Sequence, residues 1–155
     1  YCADEAEQII GIEIVKDAVL DANRNAVVNG IVNARYICGK AEEILPLYAG
    51  QKKVAGRTAN QKEDPSVKTD PNLAEAISRA RIAILDPPRA GCRPELLEAV
   101  IDLGVERIVY VSCDPATLAR DIKFLGEHGY DLQEATPVDM FPHTAEVETV
   151  CLLSR

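Results

Sequence analysis

The stretch Arg107-Ile108-Val109-Tyr110-Val111-Ser112-Cys113-Asp114-Pro115-Ala116-Thr117 decides how the chain folds. Its first half, Ile108-Val109-Tyr110-Val111, is apolar and largely β-branched, which reads as a strand of a parallel sheet with both faces covered. Its second half is a helix start. Asp114 supplies an N-cap, and Pro115 suits the first helical position, where its missing N–H costs nothing. Cys113 thus stands at the carboxyl end of a strand and just before a helix N-terminus. Open α/β sheets bind ligands along that edge, and helix N–H groups there favour an anion, here a thiolate. The other reading of Cys113 is an inert buried thiol, the common fate of a free cysteine.

The same alternation of strands and helices extends outward in both directions. Before it, Ile82-Ala83-Ile84-Leu85-Asp86 is a buried strand whose end is punctuated by Pro87-Pro88-Arg89-Ala90-Gly91. Pro94 to Leu103 is a helix stopped by Gly104. Nearer the start, Gln8 to Ile14 is a strand, Lys16 to Asn29 an amphipathic helix, Ala34 to Cys38 a second short strand and Ala41 to Tyr48 a short helix. From about Gly50 to Pro71 the chain turns polar and loses its large apolar residues, which reads as a long solvated insertion; Asn72 to Arg81 is a helix leading back to the core. After Cys113, Pro115 to about His128 is a helix ended by Gly129. Tyr130 to Pro137 and Val147 to Leu153 are strands joined only by a loop, which suits an antiparallel hairpin at one end of the sheet. The pattern predicts an α/β domain with a mostly parallel sheet and helices on both faces.

Composition narrows the function classes. A chain of 155 residues, 47% of them hydrophobic, has the length of one domain and enough apolar residues for a core. No apolar run approaches the roughly 20 residues of a membrane span. The five cysteines form no Cys-x-x-Cys pair and have no histidine in metal spacing, so no zinc site is expected. Scattered cysteines in odd number, and no basic-then-apolar opening, suit a reducing cytoplasm. The net charge of −8 argues against this chain gripping a polyanion by itself. The lysines of the insertion, Lys52, Lys53, Lys62 and Lys68, are read as solvated rather than as an RNA contact.

Glu13, Asp86, Cys113 and Glu148 all fall at or near strand ends, and in a parallel sheet the first three can converge on one cleft. Glu13 follows Gly11 at the end of a strand. A carboxylate there offers the two acceptors that a ribose diol needs. The prolines after Asp86 fix the backbone and remove two donors, giving a rigid wall.

Taken together, Leu85-Asp86-Pro87-Pro88-Arg89-Ala90-Gly91, then Tyr110-Val111-Ser112-Cys113-Asp114-Pro115-Ala116-Thr117-Leu118-Ala119-Arg120-Asp121, then Asp139-Met140-Phe141-Pro142-His143-Thr144 and Val147-Glu148-Thr149-Val150 resemble the RNA uracil-5-methyltransferase family. Its members transfer a methyl group from S-adenosylmethionine to C5 of a uridine in tRNA or ribosomal RNA. The likeness covers the chain, residues 1–155, apart from the polar insertion. It implies a Rossmann-like S-adenosylmethionine-dependent methyltransferase domain whose first strand and glycine-rich loop are missing from this sequence. It also implies roles: Cys113 as nucleophile, Glu148 as general base, and Tyr1, Glu13 and Asp86 as contacts to S-adenosylmethionine. An RNA substrate, gripped largely by parts outside this chain, follows from the same likeness. His143 is read as structural. Asp114 stands where the family usually has Asn.

The chemistry asks for these groups independently. C5 of uracil is a poor nucleophile, and a thiolate adding at C6 makes it a good one, dividing one hard step into two. After transfer a carboxylate must remove the C5 hydrogen so that the thiolate can leave. A base inside a stack must be flipped out to be reached. Two other readings stay open at this point. An amino-group methyltransferase of bases or proteins carries a similar Asp-Pro-Pro motif and needs no Cys113. A domain without its glycine-rich loop also suits an inactive RNA-associated scaffold.

Overall fold

The computed structural model of the protein describes residues 2–52, 70–140, 142–144 and 147–155. The chain divides into two compact units, Tyr1–Arg79 and Ala80–Arg155.

The first unit opens with β1 (Ile9–Glu13), α1 (Lys16–Val28) and β2 (Ala34–Cys38). β1 and β2 pair in parallel, from Ile9 opposite Ala34 to Glu13 opposite Cys38. A parallel pair needs a crossover, and α1 supplies it, burying Val19 and Ala26. Asn33 ties the segment before β1 in place by donating its side-chain N–H to the carbonyls of Ala3 (2.8 Å) and Ala6 (2.7 Å). α2 (Ala41–Lys52) runs through Pro46 and past Tyr48, where the sequence suggests a stop. The burial of Tyr48 and Ala49 explains this, because packing outweighs the one backbone bond a proline removes. α3 (Pro71–Ser78) begins on a cap, Asp70, whose carboxylate accepts from Asn72 N–H at 3.0 Å. It ends at Ser78 with Arg79 as its C-cap, short of the expected Arg81, whose carbonyl accepts from Glu106 N–H at 2.8 Å and Arg107 N–H at 3.2 Å. The expected polar insertion is helical as far as Lys52, and its residues 53–69 lie outside the described residues.

The second unit contains β3 (Ile82–Leu85), α4 (Pro94–Leu103), β4 (Arg107–Ser112), α5 (Pro115–Glu127), β5 (Asp131–Val138) and β6 (Glu148–Ser154). Its sheet has the order β3-β4-β6-β5. β3 and β4 are parallel, and β6 is antiparallel to both β4 and β5. The expected hairpin is present, but it is the last strand, not the one before it, that lies against β4. One face of this sheet carries Leu85, Ile108, Tyr110, Cys151 and Leu153, all buried. α4 and α5 contact each other, and Tyr110 reaches α5 from this face, so both helices cover the same side. The expected helices on both faces are therefore not found within this unit: on the other face Ile82 and Ile84 are 54% and 64% exposed. β5 is an edge strand, exposed along its whole length, and Pro137 with its charged residues suits such an edge. Gly104 ends α4 in the left-handed conformation at φ 66°, as the sequence suggests.

The fully buried Leu125 of α5 sits in the layer between this helix and the sheet. Leu125→Ala is expected to lower unfolding stability by about 2–5 kcal/mol. Denaturant unfolding measures this, and an unchanged midpoint would mean that the layer is packed differently.

Candidate active site

The turn after β4 is built by local hydrogen bonds. The Asp114 carboxylate accepts from Ala116 N–H (3.0 Å) and Thr117 N–H (2.8 Å), capping α5, and Pro115 takes the first helical position. Ser112 Oγ donates to the Asp114 carbonyl at 3.0 Å and accepts from Asp114 N–H at 3.1 Å. Cys113 is held between these two residues, half-buried, and its thiol has no partner among the described residues. Asp114 titrates below the ordinary aspartate range, first because the Thr117 N–H favours its charged form.

β6 brings the second reactive group to this turn. The β4–β6 register runs from Arg107 opposite Ser154 to Ser112 opposite Thr149. The ladder thus ends on Ser112 and Thr149, the chain neighbours of Cys113, in the turn just past β4, and of Glu148, the first residue of β6. Side chains alternate along a strand, so Glu148 follows the set of Val150 and Leu152, on the face opposite α4 and α5. Glu148 is half-buried, opposite Val138 on its other side, and makes no side-chain hydrogen bond among the described residues. A thiol and a carboxylate in this arrangement can address one ring from neighbouring strands.

Asp86 follows β3 at the same edge. Leu85 lies opposite Tyr110 in a parallel pair, so β3 ends at the same edge as β4, two residues before Ser112. Its carboxylate is exposed and has no side-chain hydrogen bond among the described residues. Asp86, Cys113 and Glu148 thus all lie at one edge of the second unit's sheet.

Glu13 ends β1 in the first unit. One carboxylate oxygen accepts from Val15 N–H at 2.7 Å, which leaves the other without a partner among the described residues. It is exposed and lies at the carboxyl end of its strand pair. Tyr1 lies outside the described residues. His143 is an exposed turn residue with a left-handed φ of 72°. Among the described residues no group of His, Cys, Asp and Glu could hold a metal ion, and no helix is long and apolar enough to cross a membrane. A cavity of about 200 Å³ is lined by Cys92, Pro94, Leu97, Arg120, Asp121 and Phe124, none of them a residue of the edge just described.

Sequence reasoning passed over Asp121, which is 1% exposed and bonded to Tyr110. The signal was present: Leu118, Asp121 and Leu125 fall on one helical face, so an acid was being buried with two leucines. It also did not place β6 beside β4, because strand order is not written in local periodicity.

The Asp114 cap carries a pH dependence. Its folded value is depressed, so its stabilising contribution is present above the ordinary value of 3.8 and is lost as pH falls through the lower folded value. Asp114→Ala is expected to lower the melting temperature at neutral pH, and the gap to the unsubstituted protein should close in that acid window. A gap independent of pH would show that the charged cap is not the cause.

Comparison with known proteins gives a consistent result. The sequence model of the tRNA (uracil-5-)-methyltransferase family matches residues 2–155. An uncharacterized RNA methyltransferase of Bacillus cereus is 41% identical over 155 residues, which is 100% of this chain and 28% of that protein. One from Caldanaerobacter subterraneus is 42% identical over 156 residues, covering 100% of this chain and 29% of the relative. The chain therefore spans less than a third of the length of these relatives. Among solved structures, the Pyrococcus abyssi tRNA (uracil-54, C5)-methyltransferase in complex with S-adenosyl-L-homocysteine superposes with a TM-score of 0.68 at 30% identity, covering 97% of this chain and 30% of that one. An rRNA methylase from Streptococcus thermophilus shares the fold alone, with a TM-score of 0.59 at 14% identity, over 99% of this chain and 76% of that one. The fold is thus the Rossmann-like methyltransferase fold, and by the extent of its match the chain belongs to the tRNA (uracil-5-)-methyltransferase family.

Proposed function

We propose that this chain is the catalytic domain of an enzyme that methylates C5 of a uridine in tRNA or ribosomal RNA, with S-adenosylmethionine as methyl donor. The observation that supports this most is the antiparallel β4–β6 ladder, which ends with Ser112 opposite Thr149, the residues next to Cys113 and Glu148. Family membership and the likeness to a tRNA uracil C5-methyltransferase point the same way.

The residues fit the donor. Glu13 and Asp86 are exposed carboxylates at strand carboxyl ends, each with acceptor oxygens to spare for hydroxyl or amino groups. They are assigned to holding S-adenosylmethionine, with Tyr1 as a third contact by family likeness. When bound, it supplies a methyl group on a positively charged sulfur. The chain's own residues do the rest. The Cys113 thiolate adds to C6 of the uracil, forming a C–S bond and making C5 nucleophilic. Once C5 carries the methyl group, Glu148 takes the C5 hydrogen as a proton; the C5–C6 double bond re-forms and the C–S bond breaks, returning the thiolate. The target base must leave its stack to reach a half-buried thiol. The net charge of −8 fits a domain that does chemistry on RNA gripped largely by other parts of a longer protein. The cytoplasm, where RNA is modified and thiols stay reduced, is the proposed compartment.

Two substitutions in the full-length protein test this reading with unmodified RNA transcripts. Cys113→Ala is expected to abolish methyl transfer. Glu148→Gln is expected to slow turnover by on the order of 10²–10⁴ and to accumulate a protein–RNA adduct. Full activity in Cys113→Ser would instead favour an amino-group methyltransferase. Absence of any thermal shift with S-adenosylmethionine would favour a scaffold.

A further inference from the structure

Asp121 is buried in α5, and a buried carboxylate is costly unless every oxygen is satisfied. Here its partners come from three parts of the second unit. One oxygen accepts from the Tyr110 hydroxyl on β4 (2.5 Å) and from the Cys92 N–H in the loop after Asp86 (2.8 Å). The other accepts from Arg120 Nε at 2.8 Å. Arg120 then turns its Nη2 onto the same loop, donating to the carbonyls of Ala90 (3.0 Å) and Cys92 (3.3 Å). One turn earlier, Thr117 Oγ1 donates to the Arg89 carbonyl at 3.0 Å.

Between these grips lies Gly91 at φ 76°, a conformation that L side chains rarely adopt. A Cβ there would collide with the Arg120 guanidinium and stand 2.7 Å from the Asp121 carboxylate. The loop thus passes directly over the first turns of α5 with no room for a side chain. Tyr110, buried beneath, holds its proton beyond the ordinary tyrosine range, first through burial and then through its bond to Asp121, and so stays a donor.

We propose that Asp121, with Arg120 and Thr117, is a positioning clamp that sets the methyl-donor side of the site against the nucleophile side. The clamp joins two things: the loop that starts at Asp86-Pro87-Pro88, assigned to the donor, and the helix that begins two residues after Cys113. Cys113 and Glu148 depend on it less, because the β4–β6 ladder ends beside them, with Ser112 opposite Thr149. This inference rests on the reading of the site given above. It predicts a separation of two reactions. Without methyl donor, Cys113 can add to C6, C5 can take a deuteron from D₂O, and Glu148 can remove the original hydrogen. The C–S bond then breaks, and uridine deuterated at C5 is released. That exchange uses only Cys113 and Glu148. Methyl transfer needs the clamp as well.

The experiment compares the two reactions in the full-length protein, with unmodified tRNA and rRNA transcripts and mass spectrometry of the released nucleosides. Asp121→Asn sets an amide N–H₂ against the Arg120 N–H and loosens the grip. It is expected to reduce methyl transfer by on the order of 10- to 100-fold while exchange stays within about threefold. Thr117→Val, which keeps the side-chain shape, serves if Asp121→Asn does not fold; it is expected to shift the ratio in the same direction, and Thr117→Ser to restore it. Equal losses of both reactions, or no loss of methyl transfer, would overturn the clamp. If the unsubstituted protein methylates uridine but shows no Cys113-dependent exchange, the covalent reading of the site fails instead.

Discussion

The antiparallel pairing of β6 with β4 is the constraint on which the site depends. A strand that leads into a thiol and a strand that begins with a carboxylate can bring the two to one edge only if they run in opposite directions. Had the last strand joined the sheet in parallel, Glu148 would stand at the far end from Cys113, about 20 Å away for a strand of this length. Register matters as much as direction, because a slip of one residue sends the glutamate to the helix-covered face. The ladder resists such a slip: Cys151 and Leu153 are wholly buried on that face, and a slip would expose them.

The rest of the second unit holds this edge rigid. Ser112 and Asp114 fix the turn on both sides of Cys113 with hydrogen bonds from main chain and side chain. The Asp114 charge, which by itself opposes a neighbouring thiolate, is directed at two helix N–H groups. Asp121 extends the same logic deeper. A fully satisfied buried carboxylate specifies one arrangement of its neighbours, because any other leaves a donor or a charge unpaired. A loop, a strand and a helix are locked together by one side chain, and glycine is needed where they meet.

Much of this was legible in the sequence. The β4 strand, the Asp114 cap and Pro115 were read from one stretch, since capping and proline placement are local physics. Helix ends were less legible: α2 runs through Pro46 because Tyr48 and Ala49 are buried, a tertiary effect. Asp86 and Cys113 were placed at one edge by reasoning from parallel strands. Glu148 entered through family likeness, since nothing local says that the final strand slots in beside β4. Asp121 was missed because a charged residue on a mostly apolar helix face is usually dismissed as solvated.

The account stands or falls on a temporary bond between the Cys113 sulfur and C6 of a uracil. RNA containing 5-fluorouridine tests this directly in the full-length protein with S-adenosylmethionine present. Fluorine cannot leave C5 as a proton, so the bond cannot be undone after methyl transfer. The account predicts a stable protein–RNA complex and, after digestion, a nucleotide-modified peptide containing Cys113. An enzyme that methylates ordinary uridine at C5 yet yields an unmodified Cys113 peptide from the fluorinated RNA would contradict it.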